Sequence, residues 1–179
     1  ALAVISDDEF EHGPLELLFT VDEETGLTGV NNLQKGFING KTLLNLDTEE
    51  DGAFYVGCAG GMDTVGSYTI EYEKINDGFL PFLLSVSGLL GGHSGINIAD
   101  GRANAIKLLV MVLDRLSALN AQIAFISGGS KRNAIPREAE AVILLHPDLE
   151  SKAREIINEY SLESVIEYSQ VEQNIKITI

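Results

Sequence analysis

The chain has 179 residues, 45% of them hydrophobic and 22% charged, enough apolar material for a packed core and too little charge for a disordered polymer. Its 27 acids against 12 bases leave a net charge of -15, which argues against a nucleic-acid binder and favours cations as partners. The single cysteine, Cys58, rules out an intrachain disulfide, and no apolar run reaches the roughly 20 residues of a membrane span.

The opening ALAVIS reads as the tail of a helix begun elsewhere, so the chain is expected to be a piece of a longer protein. LELLFT (15–20) is a short apolar run between Gly-Pro and three acids, the pattern of a buried parallel strand. A helix is expected near 28–37, with Val30, Leu33 and Phe37 on one face, and TLLNLD (42–47) reads as a second buried strand. Strand, helix and strand in that span predict a βαβ unit, an α/β arrangement with a partial parallel sheet. The domain boundary is expected near residues 52–61, giving domains over 1–55 and 56–179.

Beyond that boundary the pattern changes. In VGSYTIEYEKI, Tyr68, Ile70 and Tyr72 alternate with Thr69, Glu71 and Glu73, which predicts an antiparallel strand with one wet face. FLPFLLSVSG (79–88) is a further strand, its Pro81 pointing to an edge or an early position. GLLGGHSG (88–95) is a glycine-rich loop. Asp100 stands where an N-cap belongs, ahead of a helical stripe of Ile106, Leu109, Val110, Leu113 and Leu116. Strands are expected at about 121–128 and 138–145. A second helix starts at Pro147 and Asp148 with Leu149, Ala153, Ile156, Ile157 and Tyr160 inward, and NIKITI closes the chain as a strand. From residue 79 the order is β-α-β-β-α-β, the ferredoxin-like split motif.

Chemistry concentrates where the expected parallel strands end, since ligands in open parallel sheets bind beyond the carboxyl ends of the strands. Asp22, Glu23 and Glu24 follow the first of them and Asp47 ends the second. Adjacent carboxylates repel, and two explanations stand side by side: they cap the helix that follows, or a divalent cation neutralises them. Among the histidines, His12 reads as a loop residue and His146, ahead of Pro147, as part of a helix start. His93, between Gly92 and Ser94, has no apolar face to bury it and is a binding candidate. Cys58 lacks a histidine nearby in sequence, and GCAGG lacks the spacing of a dinucleotide-binding turn. Lys131, Arg132 and Arg137 form a small basic cluster that either holds a carboxylate or offsets local acids.

TVDEETG (20–26), NLDTEEDG (45–52), GCAGG (57–61), GGHSG (91–95) and RNAIPREA (132–139) occur in this order here, and together the chain resembles the aminoacyl-histidine dipeptidases. These belong to the di-zinc metallopeptidase superfamily that also holds carnosinases, aminoacylases and desuccinylases. The resemblance implies that Glu23 is the general base, that Glu24 ligates one zinc and Asp47 the other, and that His93 and Asn133 contact substrate from a lid domain. It implies a ferredoxin-like α+β lid through which homodimers form, a small dipeptide substrate, neither nucleic acid nor membrane as partner, and a cytoplasmic location. The family's upstream His-x-Asp and its distal histidine have no counterpart here, so the chain is expected to be an internal slice that is itself inactive. Alternatives are another amidohydrolase of the superfamily, such as a desuccinylase or tripeptidase, or a non-catalytic binding and dimerisation module.

Overall fold

The structure, a computed structural model, describes residues 1–9, 11–47, 50–58 and 60–179. Thr48 and Glu49 of NLDTEEDG and Ala59 of GCAGG lie outside the described residues. The chain divides into two compact units, Ala1–Ser67 and Tyr68–Ile179.

The second unit is built on a four-stranded antiparallel sheet. In chain order its elements are β1 (Leu80–Ser87), α1 (Ala105–Ser117), β2 (Gln122–Gly128), β3 (Ala139–Leu145), α2 (Glu150–Glu167) and β4 (Lys176–Thr178). The strands lie in the order β2-β3-β1-β4, so each helix crosses over to place its flanking strands apart, as the split motif requires. Pro81 is the second residue of β1, where a missing N–H disturbs the ladder least. Along β1 and β3 the residues Leu84, Val86, Ala139, Ala141, Ile143 and Leu145 are buried. They form one core with Leu108, Leu109, Val112 and Leu116 of α1 and Ala153, Ile157 and Tyr160 of α2. Each such leucine or isoleucine contributes about 1.5–3 kcal/mol by leaving water.

Two local expectations need correction. The N-cap of α1 is Asn104, whose side chain accepts from the Ile106 and Lys107 amides, while Asp100 ends a separate 3-10 turn, Ile98–Asp100. Both Asn and Asp cap well, and the nearer one won. The buried stripe of α1 is Ala105, Leu108, Leu109, Val112, Leu113 and Leu116. Ile106 and Val110, expected inside, are 36% and 47% exposed and make a second apolar strip on the helix flank with Met111.

The first unit carries the larger correction. The parallel βαβ sheet expected over residues 15–47 is not formed. No strand occurs among the described residues before Leu80, and the expected helix near 28–37 is reduced to single turns, Glu23–Gly26 and Thr28–Asn31. A buried parallel strand needs neighbours on both sides to pair its N–H and C=O groups. LELLFT and TLLNLD have the side chains for that role but not the neighbours. Leu43, Leu44 and Leu46 are therefore 79%, 77% and 74% exposed. Glu16 clasps the region, its carboxylate accepting from the Asn39 and Gly40 amides at 2.7 and 2.8 Å and from the Asn39 side chain. Those bonds, that from the Asn39 side chain first, hold the Glu16 carboxyl below its ordinary value. The antiparallel strand expected from Tyr68 is absent too, and Tyr68 and Tyr72 stay exposed. That stretch instead hooks onto the start of β2, where Gln122 donates to Glu73 and accepts from the Asn76 amide.

Candidate functional site

The glycine-rich loop between β1 and α1 is held by a short ladder and several hydrogen bonds. Gly92 and His93 pair antiparallel with Ile135 and Ala134, a two-residue ladder apart from the main sheet. The Ser94 amide donates to the Asn133 carbonyl at 2.9 Å. Two of the residues expected to contact substrate, His93 and Asn133, are thereby brought together, both exposed. A cleft of about 640 Å³ opens beside them, lined by Ser85, Ser87, Ser127, Gly92, Arg137 and Glu140 among others. Arg137 of the basic cluster pairs only loosely with its neighbour Glu138, at 3.5 Å.

The glycines of GGHSG have physical reasons. Gly92 takes φ +137, and a Cβ there would stand 2.6 Å from Arg102 Nη1 and 2.8 Å from Asn97 Oδ1. A Cβ on Gly95 would press to 3.2 Å from the His93 ring. That ring turns back on its own loop, its Nδ1 accepting from the Gly95 and Ile96 amides at 3.1 and 3.2 Å. With Nδ1 accepting, the neutral imidazole carries its hydrogen on Nε2, which makes Nε2 a donor. The His93 amide donates to Asn97 Oδ1 at 2.9 Å.

Asn97 also donates to Asp100 Oδ2, as do Arg102 Nε and Nη2. The Asn97 amide first, and then the Arg102 guanidinium, hold the Asp100 carboxyl below its ordinary value of 3.8. A depressed folded value means the stabilisation is present above the unfolded value and is lost as pH falls through the folded one. The Asp100 carboxyl, followed by carbon-detected NMR, is thus expected to titrate below 3.8. The loop amides of 93–97 should gain exchange only in that same acid range. Titration at or above the ordinary value would mean the network does not form.

The acids of the first unit are arranged differently. Asp22 sits in the left-handed region (φ 56, ψ 40) before the turn Glu23–Gly26 and makes no side-chain cap, so the helix-capping explanation fails for it. Asp22, Glu23, Glu24 and Asp47 are all exposed. Among the described residues no group of three or more His, Cys, Asp or Glu gathers to hold a metal ion. A catalytic zinc takes three protein ligands, so the described residues do not fit one. Of the remaining histidines, His12 hydrogen-bonds through Nδ1 to the Gly13 carbonyl at 2.7 Å. His146 caps the turn Pro147–Leu149 by accepting from the Asp148 amide. Cys58 is exposed.

Sequence reasoning missed Arg102, Asn97 and Glu172, which hold the His93 loop in shape. Glu172 is 3% exposed, and its carboxylate accepts from the Leu90 and Ala103 amides at 2.9 and 3.1 Å. No periodicity marks a lone acid in a link between helix and strand. The crowd of polar residues after GGHSG was the one available signal for Asn97 and Arg102.

Comparison with known proteins places this geometry. A family model described as a peptidase dimerisation domain matches residues 84–167, which takes in most of the sheet and both long helices. The cytosol non-specific dipeptidase of Escherichia coli (strain K12) is 39% identical over 180 residues, covering 100% of this chain and 37% of that protein. The crystal structure of an aminoacylhistidine dipeptidase from Vibrio alginolyticus superposes with a TM-score of 0.74 at 38% identity, covering 99% of this chain and 36% of that one. Residues 84–167 thus match a peptidase dimerisation domain, and the chain is similar along its whole length to dipeptidases while spanning little more than a third of their length.

Proposed function

We infer that the chain is one segment of a longer cytoplasmic peptidase that hydrolyses small dipeptides, Xaa-His dipeptides among them. Residues 56–179 serve as its lid and dimerisation domain and residues 1–55 as a piece of its catalytic domain. The observation that supports this best is similarity to a dipeptidase over 100% of the chain. In the complete protein Glu23 accepts a proton, Glu24 and Asp47 contribute to a zinc site, and His93 and Asn133 contact the substrate. Since the described residues do not make up a metal site, no step through a metal is assigned to this chain, and the 179 residues alone are expected to show no peptidase activity.

The test is a substrate panel on the complete protein. Xaa-His dipeptides are expected to be cleaved. Cleavage of tripeptides or N-succinyl amino acids alone would make it a different amidohydrolase. Glu23→Gln should lower kcat by about 10²–10⁴-fold, the usual size of a general-base contribution. In the 179-residue chain the same change should leave the melting temperature unmoved, because Glu23 is exposed there. Retained turnover would remove Glu23 from the reaction.

The same reading pairs two copies through the edge strand β2. It is the longer of the two sheet edges, and Ile123, Phe125 and Ile126 on it are each about half exposed. The strip of Ile106, Val110 and Met111 on α1 extends this apolar surface, with Ile106 packed beside Gly128 at the end of β2.

A further inference from the structure

We propose that Glu172 is a positioning residue for His93. This rests on the reading of His93 as a substrate-contacting side chain, but the structural half can be tested without it. Glu172 lies in the link between α2 and β4, far in sequence from the loop it touches. One carboxylate oxygen takes the Leu90 amide, just before Gly91 and Gly92, and the other takes the Ala103 amide, just after Arg102. The same side chain therefore clasps both ends of the loop that carries His93. Directly above it, Arg102 Nη1 donates to the Gly91 carbonyl at 2.7 Å. Two rungs result, Leu90 to Ala103 through Glu172 and Gly91 to Arg102 directly. Gly88, with φ +79, lets the chain pass tight against the link, since a Cβ there would stand 2.0 Å from the Asn174 carbonyl oxygen.

The choice of a carboxylate is informative. Burying one is costly, and a core position beside Leu89 and Ile175 invites an apolar side chain. What a carboxylate alone offers is two acceptor oxygens for two backbone donors that no ladder satisfies. Glutamine has the same shape but presents an NH₂ to one of those N–H groups, donor against donor. From the second rung the constraint runs to the His93 backbone through Arg102, Asp100 and Asn97, each hydrogen-bonded to the next. The Ser94 amide carries it across to Asn133. Glu172 thus sets where the His93 ring and Asn133 stand without touching either.

The test uses the Glu172→Gln variant of this chain, followed by ring-nitrogen NMR of His93 and by amide hydrogen exchange. The expected result is a shifted His93 ring spectrum and exchange at Leu90 or Ala103 faster by about tenfold or more, with the amides of β1 and β3 unchanged. An unmoved His93 ring, or protection lost evenly across the sheet, overturns the proposal. If that variant does not fold, Arg102→Gln opens the neighbouring rung and is expected to move the same ring signals. An unmoved ring in it overturns the proposal equally. In the complete peptidase, Glu172→Gln should lower kcat per folded molecule, and His93→Ala should lower it further. If His93→Ala leaves turnover intact while Glu172→Gln still displaces the ring, the positioning stands and the role of His93 falls. If His93→Ala abolishes turnover while Glu172→Gln changes neither ring nor rate, the positioning falls and the role of His93 stands.

Discussion

Replacing Ile126 by lysine is expected to turn a dimer of this chain into a monomer. Ile126 is 49% exposed on β2, a strand whose only ladder among the described residues is to β3. A long apolar edge strand is a template for pairing with another chain, and closed two-fold pairing is the commonest way proteins use one. The register explains why this edge carries so much apolar surface on one face. Ile123 sits opposite Ile143 and Ile126 opposite Ala141, both buried partners, although residues three apart on a regular strand point to opposite faces. The irregularity between Ile123 and Phe125 resolves this, a bulge inserting one residue and returning both isoleucines to the helix-covered face. Ile106 of the α1 strip lies beside Gly128 at the end of the same strand. A lysine buried without a partner at such an interface should weaken association by about a hundred-fold or more. Sedimentation would show the mass halved, and circular dichroism would show the fold retained, since position 126 is half solvated within one copy. A dimer that survives the change would place the interface elsewhere, with β4 the other edge to examine.

How much of this could be read from the residues depends on where each element finds its partners. β1, β2, β3 and β4 fall within a residue or two of their expected positions, and the two long helices form but start later than expected, at Ala105 and Glu150, because the neighbours of all six lie in the same chain. The α1 stripe came out rotated because Ile106 and Val110 fit the same period as Leu109 and Leu113. Periodicity alone does not say which of two adjacent apolar strips faces the sheet. LELLFT and TLLNLD failed for another reason. An apolar run encodes a strand only jointly with the strands beside it, and nothing in six residues shows whether those are present. At the candidate site, the glycine punctuation of GGHSG exposed His93, and Asn133 came with the resemblance. Glu172 stayed invisible, because its role depends on two amides far away in sequence.

The same contrast sets the size of the last expected effect. Leu109→Ala should lower the stability of the chain by about 2–5 kcal/mol, and Leu43→Ala by less than about 0.5 kcal/mol. The substitution is chemically identical at both sites. Leu109 is fully buried between the helices and the sheet, where removing three carbons forfeits their transfer from water and leaves a cavity that close-packed neighbours fill only in part. Leu43 is 79% exposed, and no described residue of Ala1–Ser67 is buried at all, so there is neither burial to lose nor a cavity to create. Chemical denaturation of the two variants measures the difference directly. Hydrogen exchange should agree, with slow amides confined to the second unit. In the longer peptidase proposed above, whose further strands would complete the sheet, the two substitutions should converge in cost. Equal effects within the isolated chain would mean instead that the first unit has a core of its own, and that the parallel sheet forms without its neighbours.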